Sequence, residues 1–194
     1  MFKSSITPEE LENLPLGGFE GEITVIDHPG IAYLQAVDYL RKQSILGFDT
    51  ETRPTFNPSQ HNSGVALLQL SDGKKAFLFR IHKLGLRRKL CKILSDPAIV
   101  KVGAATHDDV RCLQRKAKFE ECGFVDLQTF SFDWGITDKS VKKLAGIILG
   151  IRISKAQQLS NWEAPVLSEA QKKYAATDAW VCREMYLKLI KSPK

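Results

Sequence analysis

Several features that would mark a secreted, membrane or zinc-binding protein are absent from this sequence. No stretch approaches the roughly 18 consecutive apolar residues of a membrane-spanning helix, so no membrane association is predicted. The first residues lack the apolar run of a signal peptide. The four cysteines, Cys91, Cys112, Cys122 and Cys182, lie far apart without a C-x-x-C pair, which argues against a disulfide scaffold and a zinc site. We therefore expect free thiols in a cytoplasmic protein.

Internal repeats, linkers and low-complexity tracts are also lacking. The 194 residues match one domain of ordinary size, so we expect a single domain over residues 1–194. A hydrophobic content of 43% excludes disorder over the bulk of the chain. The net charge of +6, from 28 lysines and arginines against 22 acidic residues, is a weak indication of a polyanionic partner.

Short apolar runs alternate with helical patterns along the chain. Strands are predicted at residues 45–48, 65–70, 76–81, 99–104 and 124–127, with a further short candidate at 22–26. Helices are predicted at residues 30–43, 87–94, 106–118, 128–134, 140–149 and 168–190. A turn at residues 71–74 joins two of the strands as a hairpin. This order predicts an α/β fold, with a mixed sheet between layers of helices.

Two carboxylates, Asp49 and Glu51, end the most apolar strand. Side chains two residues apart on a strand point to the same face, so these two acids lie side by side. A divalent cation such as Mg²⁺ or Mn²⁺ relieves their repulsion and prefers oxygen ligands. The alternative is an acidic pair that merely ends a strand at the surface, and the spacing by itself leaves both open.

Asp178 lies on an otherwise apolar face of the last predicted helix. Tyr174, Val181, Met185 and Leu189 share that face at helical spacing, so Asp178 falls within a core stripe. An unpaired buried carboxylate is costly and needs a cation, a hydrogen-bond donor or a metal ion. A hydrogen bond from Tyr174 or from a neighbouring segment would serve equally well.

Asp109 opens the helix predicted at residues 106–118, next to neighbouring Asp108. At 100° per residue, Asp109 borders the buried stripe of this helix, whereas Asp108 points to solvent. A local role for Asp109 is the alternative, because Thr106 and Asp109 also have the spacing of a capped helix start.

Taken in order, these motifs resemble the DEDD (DnaQ-like) superfamily of 3′–5′ exonucleases. The matching residues are F-D-T-E at 48–51, Asp109 and Y-A-A-T-D at 174–178. The Y-x-x-x-D spacing is similar to the DEDDy subtype, which has tyrosine before the last aspartate. S-N-W at 160–162 and K-V-G at 101–103 are similar to the branch of ribonuclease D and the Werner-helicase exonuclease domain. The resemblance spans about residues 22–190.

The resemblance implies an RNase H-like fold: a five-stranded mixed sheet with one antiparallel strand, flanked by helices. It also implies hydrolysis of nucleic-acid phosphodiesters from a free 3′ end, single-stranded or frayed, with release of nucleoside 5′-monophosphates. Two divalent ions, Mg²⁺ or Mn²⁺, would be the cofactors. Asp49, Glu51 and Asp178 would hold the first ion, Asp49 and Asp109 the second, and Tyr174 would orient the attacking water.

Contacts to the nucleic acid follow less directly from the pattern. The candidates are Thr50, Arg53, Phe56, Leu67, Arg152, Lys155 and Trp162. Cationic side chains would bind phosphates and aromatic ones would stack on bases, although Trp162 has an equal claim to a structural role. DNA and RNA both stay open as substrates. Two alternatives remain: an endonuclease of the same fold, and a catalytically weak or dead nucleic-acid-binding protein. The presence of all four carboxylates favours an active enzyme.

Overall fold

A six-stranded mixed sheet forms the centre of the computed structural model, which describes residues 1–54 and 64–194. The strands are β1 (Glu22–Ile26), β2 (Ile45–Thr52), β3 (Val65–Ser71), β4 (Lys75–Phe79), β5 (Val100–Gly103) and β6 (Phe124–Asp126). Their order across the sheet is β1-β4-β3-β2-β5-β6.

β3 runs antiparallel to both of its neighbours, and every other pair in the sheet is parallel. The α/β class and the one antiparallel strand are therefore confirmed. The expected count of five strands is wrong, because β1 joins the sheet as a sixth strand. It pairs with β4 from Glu22↔Lys75 to Ile26↔Phe79 and so covers an edge that β4 would otherwise expose.

Helices flank the sheet, most of them close to their predicted positions, but the short helix at residues 81–84 was not predicted and begins where a strand was expected to end. They are α1 (Pro8–Glu12), α2 (Ile31–Leu40), α3 (Ile81–Leu84), α4 (Arg88–Leu94), α5 (Thr106–Gln114), α6 (Leu127–Phe130), α7 (Val141–Leu149) and α8 (Glu169–Ile190), with a 3-10 turn at Ser131–Trp134. The start of α8 is set by a capping box, in which Ser168 and Gln171 each bond the other's backbone N–H. Within the described ranges, no helix has the length and apolar content needed to cross a membrane.

The central strands are buried on both faces. Phe48, Leu68 and Leu70 belong to a core cluster that includes residues of α2, α4 and α5. Leu67 and Leu78 face the other way and belong to a cluster with residues of α8. A continuous apolar strand is what such two-sided burial requires, because alternate side chains enter different cores.

The contact between α8 and β2 is unusually close at Gly47. A Cβ atom at this position would lie 1.8 Å from the backbone oxygen of Ala179. Gly47 is two residues before Asp49, and Ala179 directly follows Asp178. Only a glycine lets the helix backbone approach the strand here, and that approach brings the two aspartates to the same place.

We predict that Gly47→Ala separates α8 from β2 and lowers the free energy of unfolding by about 1–3 kcal/mol, the usual cost of overpacking a core. Gly73→Ala is the matched control, because the nearest atom to its new Cβ would be the flexible guanidinium end of Arg183 at 3.1 Å. Chemical denaturation of both variants measures the difference. Equal stability of the two variants would contradict the close packing described above.

Candidate active site

Three carboxylates converge where β2 ends. Asp49 and Glu51 alternate onto the same face of β2 as Gly47, which packs against α8, and Asp178 of α8 meets them there. Each residue has a carboxylate oxygen within 4.8 Å of those of the other two. The structure thus brings together the strand pair and the buried helix aspartate that the sequence singles out.

Burial and mutual repulsion make the three acids hard to ionise together. The pKa of Asp49 lies well above its ordinary range because the residue is buried and faces the charges of Asp178 and Glu51. Burial, with the charge of Asp178, raises the pKa of Glu51 to about 8. Burial also raises the pKa of Asp178, although the ammonium of Lys155 opposes that shift. At neutral pH the cluster therefore retains protons unless a cation compensates its charge.

Asp109 lies beside this cluster and outside the group of three. Its Oδ1 accepts a hydrogen bond of 2.6 Å from the hydroxyl of Thr50, which points away from α8. Burial raises the pKa of Asp109 to about 6, and the hydrogen bond from Thr50 partly offsets the shift. Its charge contributes to the raised pKa of Asp49, so it acts on the same site. Asp108 is exposed, and Asp109 lies at the border of the core, as predicted.

Tyr174 is buried one helical turn before Asp178. Its ring packs against the indole of Trp162, with the centroids 5.9 Å apart. Burial and the neighbouring charges of Asp178 and Glu51 raise the pKa of its phenol above the ordinary value. The hydroxyl therefore keeps its proton at neutral pH and can donate a hydrogen bond.

These residues fit a hard divalent cation. Carboxylate oxygens are the ligands that Mg²⁺ and Mn²⁺ prefer, and a bound cation would remove the repulsion that raises their pKa values. Gln69 supports the same conclusion. It pairs with Asp49 across the β2–β3 ladder, is fully buried, and has no hydrogen-bond partner for either amide atom among the described residues. A buried amide without a partner is costly, so an additional group is expected beside Asp49.

Two residues predicted to contact nucleic acid are buried instead. Leu67 and Trp162 are both fully buried, in the core cluster that contains Tyr174. Neither side chain presents a surface to a ligand in this structure, and direct contact of these two residues with nucleic acid stays a prediction. Trp162 has the structural role that the sequence left open. Phe56 lies outside the described residues.

The three predicted cationic contacts have different surroundings. Arg53 is half exposed just after β2 and lies 3.5 Å from the carboxylate of Glu163. Arg152 donates from Nε to the carbonyl oxygen of Leu14 and so ties the N-terminal segment to the segment before α8. Lys155 contacts Asp178 at 3.2 Å, within the site itself. This ion pair, like the Thr50–Asp109 hydrogen bond, joins distant segments and had no signal in the sequence.

Comparison with known proteins identifies relatives along most of the chain. The family model for 3′-5′ exonucleases matches residues 32–192. DNA polymerase I of Aquifex aeolicus is 29% identical over 155 residues, which cover 80% of this chain and 25% of that protein. Ribonuclease D of Gluconacetobacter diazotrophicus is 28% identical over 158 residues, which cover 79% of this chain and 39% of that protein.

Among solved structures, the Nibbler EXO domain of Aedes aegypti has a TM-score of 0.80 at 21% identity, with 90% of this chain and 91% of that chain covered. This likeness establishes a shared fold. The chain spans less than half the length of the two curated relatives above. Because the family model covers most of the sequence, the chain belongs to the DnaQ-like family of 3′-5′ exonucleases.

Proposed function

We propose that this protein is a metal-dependent 3′–5′ exonuclease that removes nucleotides from the 3′ end of a nucleic acid as nucleoside 5′-monophosphates. The observation that carries the proposal is the set of three carboxylates within 4.8 Å of one another, in a member of an exonuclease family. Their burial and repulsion leave them in need of a cation, which this reaction requires.

Asp49, Glu51 and Asp178 would hold the first of two divalent ions, Mg²⁺ or Mn²⁺, and Asp49 with Asp109 the second. Such ions, when bound, neutralise the phosphate and lower the pKa of a bound water to give a nucleophile. The protein presents its carboxylates from rigid elements: two from β2, one from α8 and one from α5. Thr50 holds the Asp109 carboxylate in one orientation through its 2.6 Å hydrogen bond.

Tyr174 would position the attacking water rather than accept its proton. Its raised pKa keeps the phenol protonated, so it acts as a hydrogen-bond donor toward the reacting groups. The packing of its ring on Trp162 holds the hydroxyl in place. Trp162 would therefore assist the reaction by holding Tyr174, without stacking on a nucleobase of the substrate.

The substrate class is nucleic acid, with DNA and RNA both represented among the names of the relatives. The partly exposed Arg53, just beyond the acidic strand end, would contact backbone phosphate. We also propose that the protein works in a reducing compartment such as the cytoplasm, because its four cysteines are all free. The alternative is a protein that binds nucleic acid without hydrolysing it, and the next experiment distinguishes the two.

Replacing the acidic residues should abolish hydrolysis. We expect Asp49→Ala, Asp178→Ala and Asp109→Ala to reduce to background the Mn²⁺-dependent release of 5′-mononucleotides from oligonucleotides labelled at the 5′-phosphate of their 3′-terminal nucleotide. Asp108→Ala, one position from Asp109 but exposed, should keep wild-type activity. Linear and circular single strands separate an exonuclease from an endonuclease. Binding without hydrolysis by the wild type, or activity that survives at Asp49 or Asp178, would refute the proposal.

Removing the hydroxyl of Tyr174 should slow turnover more than it weakens metal binding. We expect Tyr174→Phe to lower kcat by roughly 10²-fold, the order of magnitude for misplacing a reacting group. Its affinity for Mn²⁺, measured by calorimetry, should stay close to that of the wild type. Tyr186→Phe on the same helix is the control. A parallel loss of metal affinity in Tyr174→Phe would make the phenol a part of the metal site.

The stability of the metal-free protein, kept in EDTA, should fall as the pH rises. The pKa of Glu51 is about 8 in the folded state against an ordinary 4.5, so the folded state binds more protons. The free energy of unfolding should therefore fall as pH rises from about 4.5 toward about 8, and saturating Mn²⁺ should reverse the loss. Glu51→Gln should flatten the dependence of Tm on pH in EDTA, whereas the exposed Glu169→Gln should not. A rising Tm over this range in EDTA would contradict the assigned pKa.

A further inference from the structure

The ammonium of Lys155 lies within the acidic site. Nζ is 3.3 Å from Oδ1 and 3.2 Å from Oδ2 of Asp178, so it contacts both oxygens of one carboxylate. It is also 3.5 Å from the hydroxyl of Tyr174 and 5.4 Å from the centre of its ring. The lysine therefore touches two residues that the proposed reaction uses.

The backbone that carries Lys155 is anchored on both sides. Before it, the backbone of Arg152 exchanges hydrogen bonds with Pro15 and Gly17, and Ile153 is buried. After it, the carbonyl oxygen of Asn161 accepts a hydrogen bond of 3.2 Å from Gln171 on α8. The ammonium can therefore move by rotation of the long, flexible lysine side chain while the backbone stays in place.

Lys155 occupies oxygens of Asp178 that a divalent cation would also need. The ammonium already contacts both carboxylate oxygens, and cations that share one carboxylate repel each other. The lysine side chain is 32% exposed, whereas that of Asp178 is 5% exposed, so the lysine has an open side toward which it can turn. A phosphate group of a substrate at this site would be the nearest new anion for it.

We propose that Lys155 exchanges between two anions: it neutralises Asp178 in the metal-free protein, and binds the substrate phosphate once a divalent ion is held by the acidic residues. The phosphate half of this proposal rests on the proposed function, whereas the competition for Asp178 does not. Lys155 would then contact the substrate directly, and uptake of metal and of phosphate would reinforce each other.

Lys75 offers a closely matched control. Its Nζ is 2.6 Å from the carboxylate of Glu22 and 5.5 Å from the ring centre of Tyr39, and its side chain is 37% exposed. It thus has the same kinds of partner as Lys155, but lies on the β1–β4 side of the sheet. Replacing Lys75 therefore shows whether the loss of any lysine that contacts a carboxylate and a tyrosine changes the affinity for metal or nucleotide.

Calorimetry on purified variants separates the two halves of the proposal. Lys155→Met should bind Mn²⁺ about fivefold more tightly than the wild type, because a competing cation is gone. At saturating Mn²⁺, it should bind AMP and dAMP about tenfold more weakly, since a charge-assisted hydrogen bond is lost. Lys155→Arg should keep Mn²⁺ affinity near that of the wild type, and Lys75→Met should change neither affinity. Weaker or unchanged Mn²⁺ binding by Lys155→Met, or unchanged binding of both nucleotides, would overturn the proposal.

A measurement on the wild-type protein does not depend on the folding of any variant. Reductive methylation followed by peptide mass spectrometry should modify Lys155 slowly in EDTA, faster with Mn²⁺, and slowly again when AMP or dAMP is added. Lys75 should react at the same rate in all three conditions. If Mn²⁺ leaves the methylation rate of Lys155 unchanged, the competition for Asp178 is refuted. If neither nucleotide changes that rate, the phosphate contact is refuted. Absence of nuclease activity, with the Mn²⁺ effects intact, would refute the proposed function while leaving the competition standing.

Discussion

The repulsion among Asp49, Glu51 and Asp178 is the interaction on which the rest of this site depends. Their oxygens lie within 4.8 Å of one another in a largely buried place, where negative charges are poorly screened. Protons, the ammonium of Lys155 or a divalent cation can relieve the repulsion, and each relieves it in a different state. The raised pKa values, the contact with Lys155 and the fit to a metal ion therefore all follow from the repulsion among these three carboxylates.

Close backbone packing brings these carboxylates together. α8 approaches β2 so tightly that Gly47 has no room for a side chain, and the neighbouring Asp178 consequently faces Asp49. The alternation of β2 then divides its polar residues between two layers. Asp49 and Glu51 point toward α8, whereas Thr50 bonds Asp109 on α5. One strand end thus gathers carboxylates from both sides of the sheet.

Much of this arrangement could be predicted from local patterns. Helical periodicity placed Asp178 in a buried stripe, and the residue is 4% exposed. The angular position of Asp109 on its helix and the apolar run before Asp49 were equally informative, because they depend only on the geometry of one element. Features that depended on contacts between elements were harder to predict. The burial of Trp162, in the segment before α8, depends on core packing that no local pattern encodes, and the pairing of β1 with β4 decided the number of strands.

The sequence by itself determined which residues carry the charges and on which elements they lie, because periods of two and of 3.6 residues follow from backbone geometry. Its ordered motifs also carried the resemblance to the exonuclease family. Tertiary structure alone decided that Lys155 reaches Asp178, that Thr50 orients Asp109, and that the Gln69 amide is buried opposite Asp49. These contacts join residues that are far apart along the chain. Their distances depend on how closely α8, β2 and α5 pack, a property of the assembled fold that no single segment contains.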